Sequence, residues 1–458
     1  MRKFIVCCFV LMVALSGCNL TTNDAPPTLM PQARITDAPL PTLGYSTPVP
    51  GQEATATSDV VNTAPVGAQL YTLLNQVSAD RMYNNIATLQ GFYTRHVNST
   101  QTSETEGIGA ASRWLYSQFL QIQEESKGNF QTFTHPFTAT YNGIQSSQQN
   151  IVGIINGVLP NTPAIVVGAH YDSRTDDLTQ NTTFAPGADD NGSGVAAVLE
   201  MARTLSKIRP RATIIFVLFS AEEQNRQGSR AFVKDYIVGY NIAVKVMINI
   251  DTVGSNNSPT GVINDREIRI FSAPPEESQS RNIARMLDFI VDNYSTDLKL
   301  IFVEEIDREG RYGDHFSFHE IGIPAVRIIE ALEDTPRREG RDTLEYVEPE
   351  YLRKSTRTLI TMVLALTDGM PAPTNVMIRQ MDNNIRRIVW EPVPGATGYI
   401  VALRKTGQVT FESQFPAASD TTAFDCDCFT SNNYQSIAVA ALNENGIMGP
   451  LSEEIRIP

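Results

Sequence analysis

Cysteine is scarce in this 458-residue chain: of five, Cys7, Cys8 and Cys18 fall at the extreme N-terminus, which leaves only Cys426 and Cys428 for everything that follows. That excludes a disulfide framework, so the protein has to be held by its core. The Cys-x-Cys spacing is poor for a relaxed bridge and reads as two thiols or a strained disulfide. Clustered positive charge is missing too. With 36 Lys and Arg against 50 Asp and Glu, a net charge of -14 and no basic cluster, the chain lacks the footprint that nucleic acid requires. Long apolar runs are equally absent. The N-terminal stretch from Phe4 to Leu15 is too short to span a bilayer as a mature helix.

What that stretch does have is Arg2 and Lys3 before it and Ser16-Gly17-Cys18 after it, the layout of an export signal over residues 1–18. The ending "LSGC" resembles the bacterial lipoprotein box, which implies that Cys18 becomes the lipid-bearing first residue; the plainer reading is an ordinary signal with a chance cysteine. Residues 19–66 are rich in Pro, Thr and Ala without sustained apolar periodicity, and read as a disordered tether. The expectation is an exported protein of the cell envelope, lipid-anchored to a membrane through Cys18.

Residues 67–370 change character. "GIGAASRWLYSQFLQI" places Ile108, Ala111, Trp114, Leu115 and Phe119 on one helical face, and "NGSGVAAVLEMARTLSKI" carries a helix-start signature. Apolar runs at Ala164–Ala169, Ala212–Phe219, Val246–Ile250 and Pro324–Ile329 read as buried strands. Strands that are apolar nearly throughout, alternating with helices, predict an α/β fold with a mixed, mainly parallel sheet covered by helices on both faces. From 371 to 458 the period becomes two, which predicts a small all-β sandwich. Trp390, Pro392, Tyr399, Val401 and "NENGIMGPLSE" resemble a fibronectin type III domain. It holds no catalytic constellation, and its expected contacts are a surface, a polymer or none.

Each apolar run ends in polar residues: "VVGAHYDSR" gives His170 and Asp172, "LFSAEEQ" gives Glu222 and Glu223, "INIDTVG" gives Asp251, and "APGADDNGSG" contributes Asp189 and Asp190. Alone, each is weak: His-x-Asp is commonly a hydrogen-bonded pair, "DDNGSG" a turn and helix cap, and "EE" a solvated face. Together, one imidazole and several carboxylates at strand ends form an N/O ligand set suited to zinc or a similar divalent ion. Such an ion also compensates the adjacent buried charges of Glu222 and Glu223.

In combination and order, "GAHYDS", "GADDNGSG", "FSAEEQNRQGS", "NIDTVG" and "GDHFSFHEIGIPA" resemble the M28 family of zinc peptidases, over approximately Leu70 to Asp368. The resemblance implies that His170, Asp190 and Asp251 hold zinc, that Asp172 orients His170, and that Glu223 binds a second ion sharing Asp190. It also implies that Glu222 is the general base acting on water, and that the substrate is a peptide. One residue departs from the pattern. Where the family places a histidine as the last ligand of the Glu223 metal, four residues before Asp342-Thr343, this chain has Arg338, which cannot ligate zinc. The second ion is therefore in doubt. His96, His135 and His319 are remaining imidazoles; His315, Asp314 and Glu339 are the expected substitute ligands or supporting residues. The leading expectation is an aminopeptidase-like zinc exopeptidase. Carboxypeptidase-like or glutaminyl cyclase-like activity, and a non-catalytic binding protein on the same fold, stay open beside it.

Overall fold

The structure is a computed structural model describing residues 68–458 except 259, 295–296, 309, 334–340 and 382–384. Cys18, the tether, Arg338 and Glu339 lie outside the described residues. In chain order the first part comprises α1 (Ala68–Leu74), α2 (Ala79–Gly91), α3 (Gly107–Glu125), β1 (Phe130–Tyr141), β2 (Ile144–Ile155), β3 (Ala164–His170) and α4 (Gly192–Leu205). It continues through β4 (Ile214–Phe219), α5 (Gln227–Phe232), β5 (Val244–Ile250), β6 (Glu267–Ser272), α6 (Gln279–Tyr294), β7 (Lys299–Val303), α7 (His315–His319), β8 (Ala325–Glu330) and α8 (Pro349–Asp368).

The eight strands form one sheet in the order β1-β2-β4-β3-β5-β8-β6-β7. The central run β4-β3-β5-β8 is parallel, while β1 and β2 form an antiparallel hairpin and β6 runs antiparallel to β8. Side chains alternate between the faces, as the pleat requires. Ile165, Val167, Ile214, Phe216 and Leu218 join a core with α2, α3, α4, α6 and α8, whereas Val166, Ile215, Val217 and Phe219 join another with Phe232, Tyr236 and Phe318. Both faces are thus buried, which is why these strands read as unbroken apolar runs. The expected mixed, mainly parallel α/β architecture is the observed one.

The remaining strands are β9 (Met377–Gln380), β10 (Arg386–Val389), β11 (Gly398–Lys405), β12 (Ser413–Ala418), β13 (Ala423–Cys426), β14 (Tyr434–Leu442) and β15 (Ile455–Arg456). They form a three-stranded sheet, β13-β10-β9, and a four-stranded sheet, β12-β11-β14-β15, both antiparallel. Tyr399, Val401, Leu403, Ile437 and Val439 face the core between them, with Trp390 and Phe424. The alternate residues Ile400, Ala402, Ala438 and Ala440 belong instead to the core that includes α6 and α8. Phe411 meets Phe289 of α6 edge-on at 5.8 Å, and the Tyr294 hydroxyl donates to the Gly446 carbonyl at 2.8 Å. The four-stranded sheet is therefore covered on both faces. Cys426 and Cys428 are joined in a disulfide, which settles the reading left open between thiols and a bridge.

Candidate metal centre

Three adjacent parallel strands deliver the site, at the carboxyl ends where crevices form in such sheets. His170 is the last residue of β3, Asp251 follows β5, and Glu222 and Glu223 lie on the turn after β4. Asp190 comes from the loop before α4. There Asn191 caps the helix by accepting from the Gly194 N–H at 3.0 Å and donates to the Ile250 carbonyl at 2.9 Å, tying the loop to the end of β5. Gly194 is required here. A Cβ would sit 2.3 Å from Asn191 Oδ1 and 2.7 Å from the Ile250 carbonyl oxygen.

His170 Nε2 faces Asp190 Oδ1 at 3.3 Å, Asp251 Oδ1 at 3.6 Å and Glu222 Oε2 at 3.9 Å. Its other nitrogen, Nδ1, is 3.2 Å from the Asp172 carbonyl oxygen and 3.6 Å from Asp172 Oδ1. With the Nδ1 proton held there, the Nε2 lone pair is presented to the carboxylates, the usual preparation of an imidazole ligand. Among the described residues, His170, Asp190 and Asp251 form the single group whose ligand atoms converge within 4.8 Å. Asp251 Oδ1 is buried and accepts no hydrogen bond, while Oδ2 accepts from Arg327 Nη2 at 2.8 Å. A fully buried carboxylate oxygen left without a donor is costly unless something positive meets it, so the donor set fits a divalent ion.

Asp172 does more than orient the imidazole. Its Oδ1 and Oδ2 accept the backbone N–H groups of Glu222 and Glu223 at 3.0 and 3.1 Å, an anion cradled by successive amides. The preceding Ala221 is left-handed, at φ 59°, which costs on the order of 1–2 kcal/mol for a residue with a Cβ. Asp172 holds the turn in that shape and so fixes where both glutamates project. The Glu222 carboxyl is raised well above the ordinary range, first by burial and then by Glu223, Asp314 and Asp251, with His170 opposing. For His170, burial pushes down, but Glu222, Asp251 and hydrogen bonds to Asp172 and Asp190 outweigh it and hold the pKa well above normal. A buried carboxyl raised by acidic neighbours in this way is what a bound cation relieves.

Several supporting residues were not legible as functional. Arg327 of β8 is buried and grips Asp307 with Nη1 at 2.6 Å to each oxygen while holding Asp251; an arginine inside the apolar run "PAVRII" was the available signal. Asp342 accepts from the backbone of Asp189 at 2.9 Å and of Asp190 at 2.8 Å. Arg95 is fully buried and donates to the carbonyls of Tyr171, Pro186 and Gly187, joining the end of β3 to the Asp190 loop. Arg174 ends the very motif that supplies His170 and Asp172, and it forms an ion pair with Glu223.

Of the suggested substitute ligands, His315 and Asp314 are not among the converging atoms. His315 Nε2 contacts the Ile306 carbonyl at 2.9 Å, and burial lowers its pKa to about 4, so the ring is neutral and braces the Asp307–Arg327 support. Asp314 is fully buried, with a carboxyl that burial pushes up to about 7. His96 Nε2 contacts the Leu178 carbonyl, His135 lies between Asn150 and Asp235, and His319 packs near the Phe316 ring. None of them joins the converging group. The cleft itself, about 250 Å³, is lined by His170, Asp190, Glu222, Glu223 and Asp251 on one side and by Arg174, Arg226, Arg308 and Arg311 among the others.

The profile of peptidase family M28 matches residues 150–363, the stretch that contains His170, Asp190, Glu222, Glu223 and Asp251. Residues 150–363 are thus similar to the M28 peptidases. The chain is 29% identical over 374 residues to a probable zinc metalloprotease of Pyrenophora tritici-repentis (strain Pt-1C-BFP), covering 74% of this chain and 86% of that one. A probable zinc metalloprotease of Phaeosphaeria nodorum is 29% identical over 387 residues, covering 74% and 78%. Among solved structures, LapB from Legionella pneumophila superposes with a TM-score of 0.54 at 20% identity, over 66% of this chain and 76% of that chain. The aminopeptidase from Aneurinibacillus sp. strain AM-1 gives 0.50 at 16% identity, over 65% and 96%. The fold shared with these solved structures thus extends beyond the matched segment.

Proposed function

We propose that this protein is a zinc-dependent exopeptidase in which His170, Asp190 and Asp251 hold the ion and Glu222 is the general base. The observation that carries the reading is the donorless, buried Oδ1 of Asp251 facing His170 Nε2 and Asp190. When bound, zinc supplies Lewis-acid polarisation of a carbonyl and acidification of water. The chain's own residues do the rest. Asp172 and the Asp172 carbonyl set the His170 ring, and Arg327 sets Asp251. Glu222, on the turn that Asp172 clamps, accepts the proton of the attacking water and returns it to the departing amine. A raised carboxyl pKa makes it the stronger base for taking that proton.

An aminopeptidase is the preferred specificity, since a substrate's free amine finds Glu222, Asp190 and Asp251 around it. A second reading, carboxypeptidase-like, is favoured by a separate observation: Arg226, Arg308 and Arg311 line the same cleft and, beside their own pairs with Glu320 and Glu333, present guanidinium donors to a terminal carboxylate. Export and tethering through Cys18, and a fibronectin type III identity for residues 371–458, complete the proposal; both rest on the sequence motifs. Zinc analysis of the purified chain and hydrolysis of aminoacyl reporters and of peptides with a free C-terminus test it together. Glu222→Gln is expected to keep the metal and to lose about 10²–10⁴-fold in kcat. Undiminished turnover in that variant would sink the assignment of Glu222, and hydrolysis confined to free C-termini would select the second specificity.

A further inference from the structure

The residues that fit one ion do not fit two. A second cation beside Asp190 needs Glu223 as its ligand and at least one more donor; Glu223 is already paired, and among the described residues no third His, Cys, Asp or Glu atom converges with the two. The Glu223 carboxylate is committed to the guanidinium of Arg174; the two side chains are largely buried, 10% and 17% exposed. Arginine stays protonated, so it neither ligates a metal nor vacates the position by losing its charge. A divalent ion on the same carboxylate would stand directly against a fixed positive charge. No imaginable rescue comes from the other imidazoles either, because His96, His135 and His315 all have their rings engaged away from the converging ligands. Nor do His, Cys, Asp and Glu side chains of the described residues form a second converging group.

We propose that the chain binds one metal ion and that Arg174, paired with Glu223, is the resident cation where a second ion would otherwise sit. This rests on the reading of His170, Asp190 and Asp251 as the zinc site and goes beyond it. Glu222 and Glu223 then differ in kind. Glu222 faces the His170 ion and handles protons, whereas Glu223 anchors a guanidinium that lines the cleft and cannot be chelated away.

Metal stoichiometry decides this without reference to turnover. Full-length protein, stripped with chelator and titrated with zinc, is expected to take up one equivalent by elemental analysis and calorimetry. Glu223→Gln is expected to keep that equivalent with its dissociation constant changed by less than about tenfold, since loss of even a residue supporting a ligand costs 10–100-fold. Arg174→Ala is expected to admit a second, weaker equivalent, because Glu223 is then released. Two equivalents in the wild type overturn the proposal while leaving the zinc peptidase reading standing. No zinc at all overturns that reading instead. Loss of the zinc in a folded Glu223→Gln, checked by circular dichroism and melting, makes Glu223 a ligand and overturns the inference. A single equivalent in Arg174→Ala removes Arg174 from its assigned place. Should either variant fail to fold, the wild-type stoichiometry decides alone.

Discussion

Asp172 is buried completely and spends both carboxylate oxygens on the amides of Glu222 and Glu223 while its own carbonyl holds His170. The proposed base Glu222, the proposed ligand His170 and their mutual spacing therefore depend on one residue. Asp172→Asn turns one of the two acceptors into a donor facing an N–H, so the turn has to give way. We expect a loss of about 10–100-fold in kcat/KM together with weaker zinc retention, measured by steady-state kinetics and metal competition. An Asn variant with wild-type values in both would show that the turn keeps its shape without the clamp.

At the scale of elements, the strands that carry the ligands were the readable ones. Burial on both faces makes β3, β4, β5 and β8 continuous apolar runs, and a polar residue closing such a run stands out. The β1–β2 hairpin escaped because β1 and the first half of β2 mix polar and half-exposed residues with apolar ones, although Asn142-Gly143 marks it. These two residues form the turn between the paired Tyr141 and Ile144, both with positive φ, as a two-residue hairpin loop demands. Arg174 and Asp342 escaped for another reason: their importance lies in partners distant in sequence or in charge balance, which no local pattern records.

Helix α6 carries a further consequence of burial. Asp288 is 6% exposed, and burial, with Asp292 adding to it against Lys299, raises its pKa to about 7. The unfolded chain releases this proton near pH 4 and the folded chain near 7. Between those values the folded state binds more protons, so this group's contribution to stability falls as pH rises through the window. Asp288→Asn is expected to melt like the wild type at pH 4 and to gain stability on the order of 1–4 kcal/mol at pH 8, at about 1.4 kcal/mol per pKa unit. Parallel melting curves for the two proteins across that range would contradict it.

For the whole molecule, the C-terminal sandwich is part of the structure that holds the peptidase domain rather than a pendant. Ile400, Ala402, Phe411, Ala438, Ala440 and Met448 share one apolar core with α6 and α8, and polar ties such as Arg285 Nε to the Val409 carbonyl at 2.8 Å flank it. The full chain should then unfold in a single transition monitored by either sandwich or peptidase signals. Phe411→Ala, which empties the place against Phe289, should cost about 3 kcal/mol and lower the thermal midpoint of peptidase activity as well. Two independent transitions, or an unaffected active site, would mean that the two parts are merely adjacent. The two-residue period of the sandwich was legible in the sequence; its second buried face was not, because alanines at 402, 438 and 440 pack closely without looking like an interface.

The position of that shared core also orders events in time. The residues that cover α6 and α8 follow all the strands of the large sheet in the chain, so during synthesis those helices are made before their cover. Until the sandwich has been made that apolar surface stays open to aggregation, and the shared core closes only afterwards.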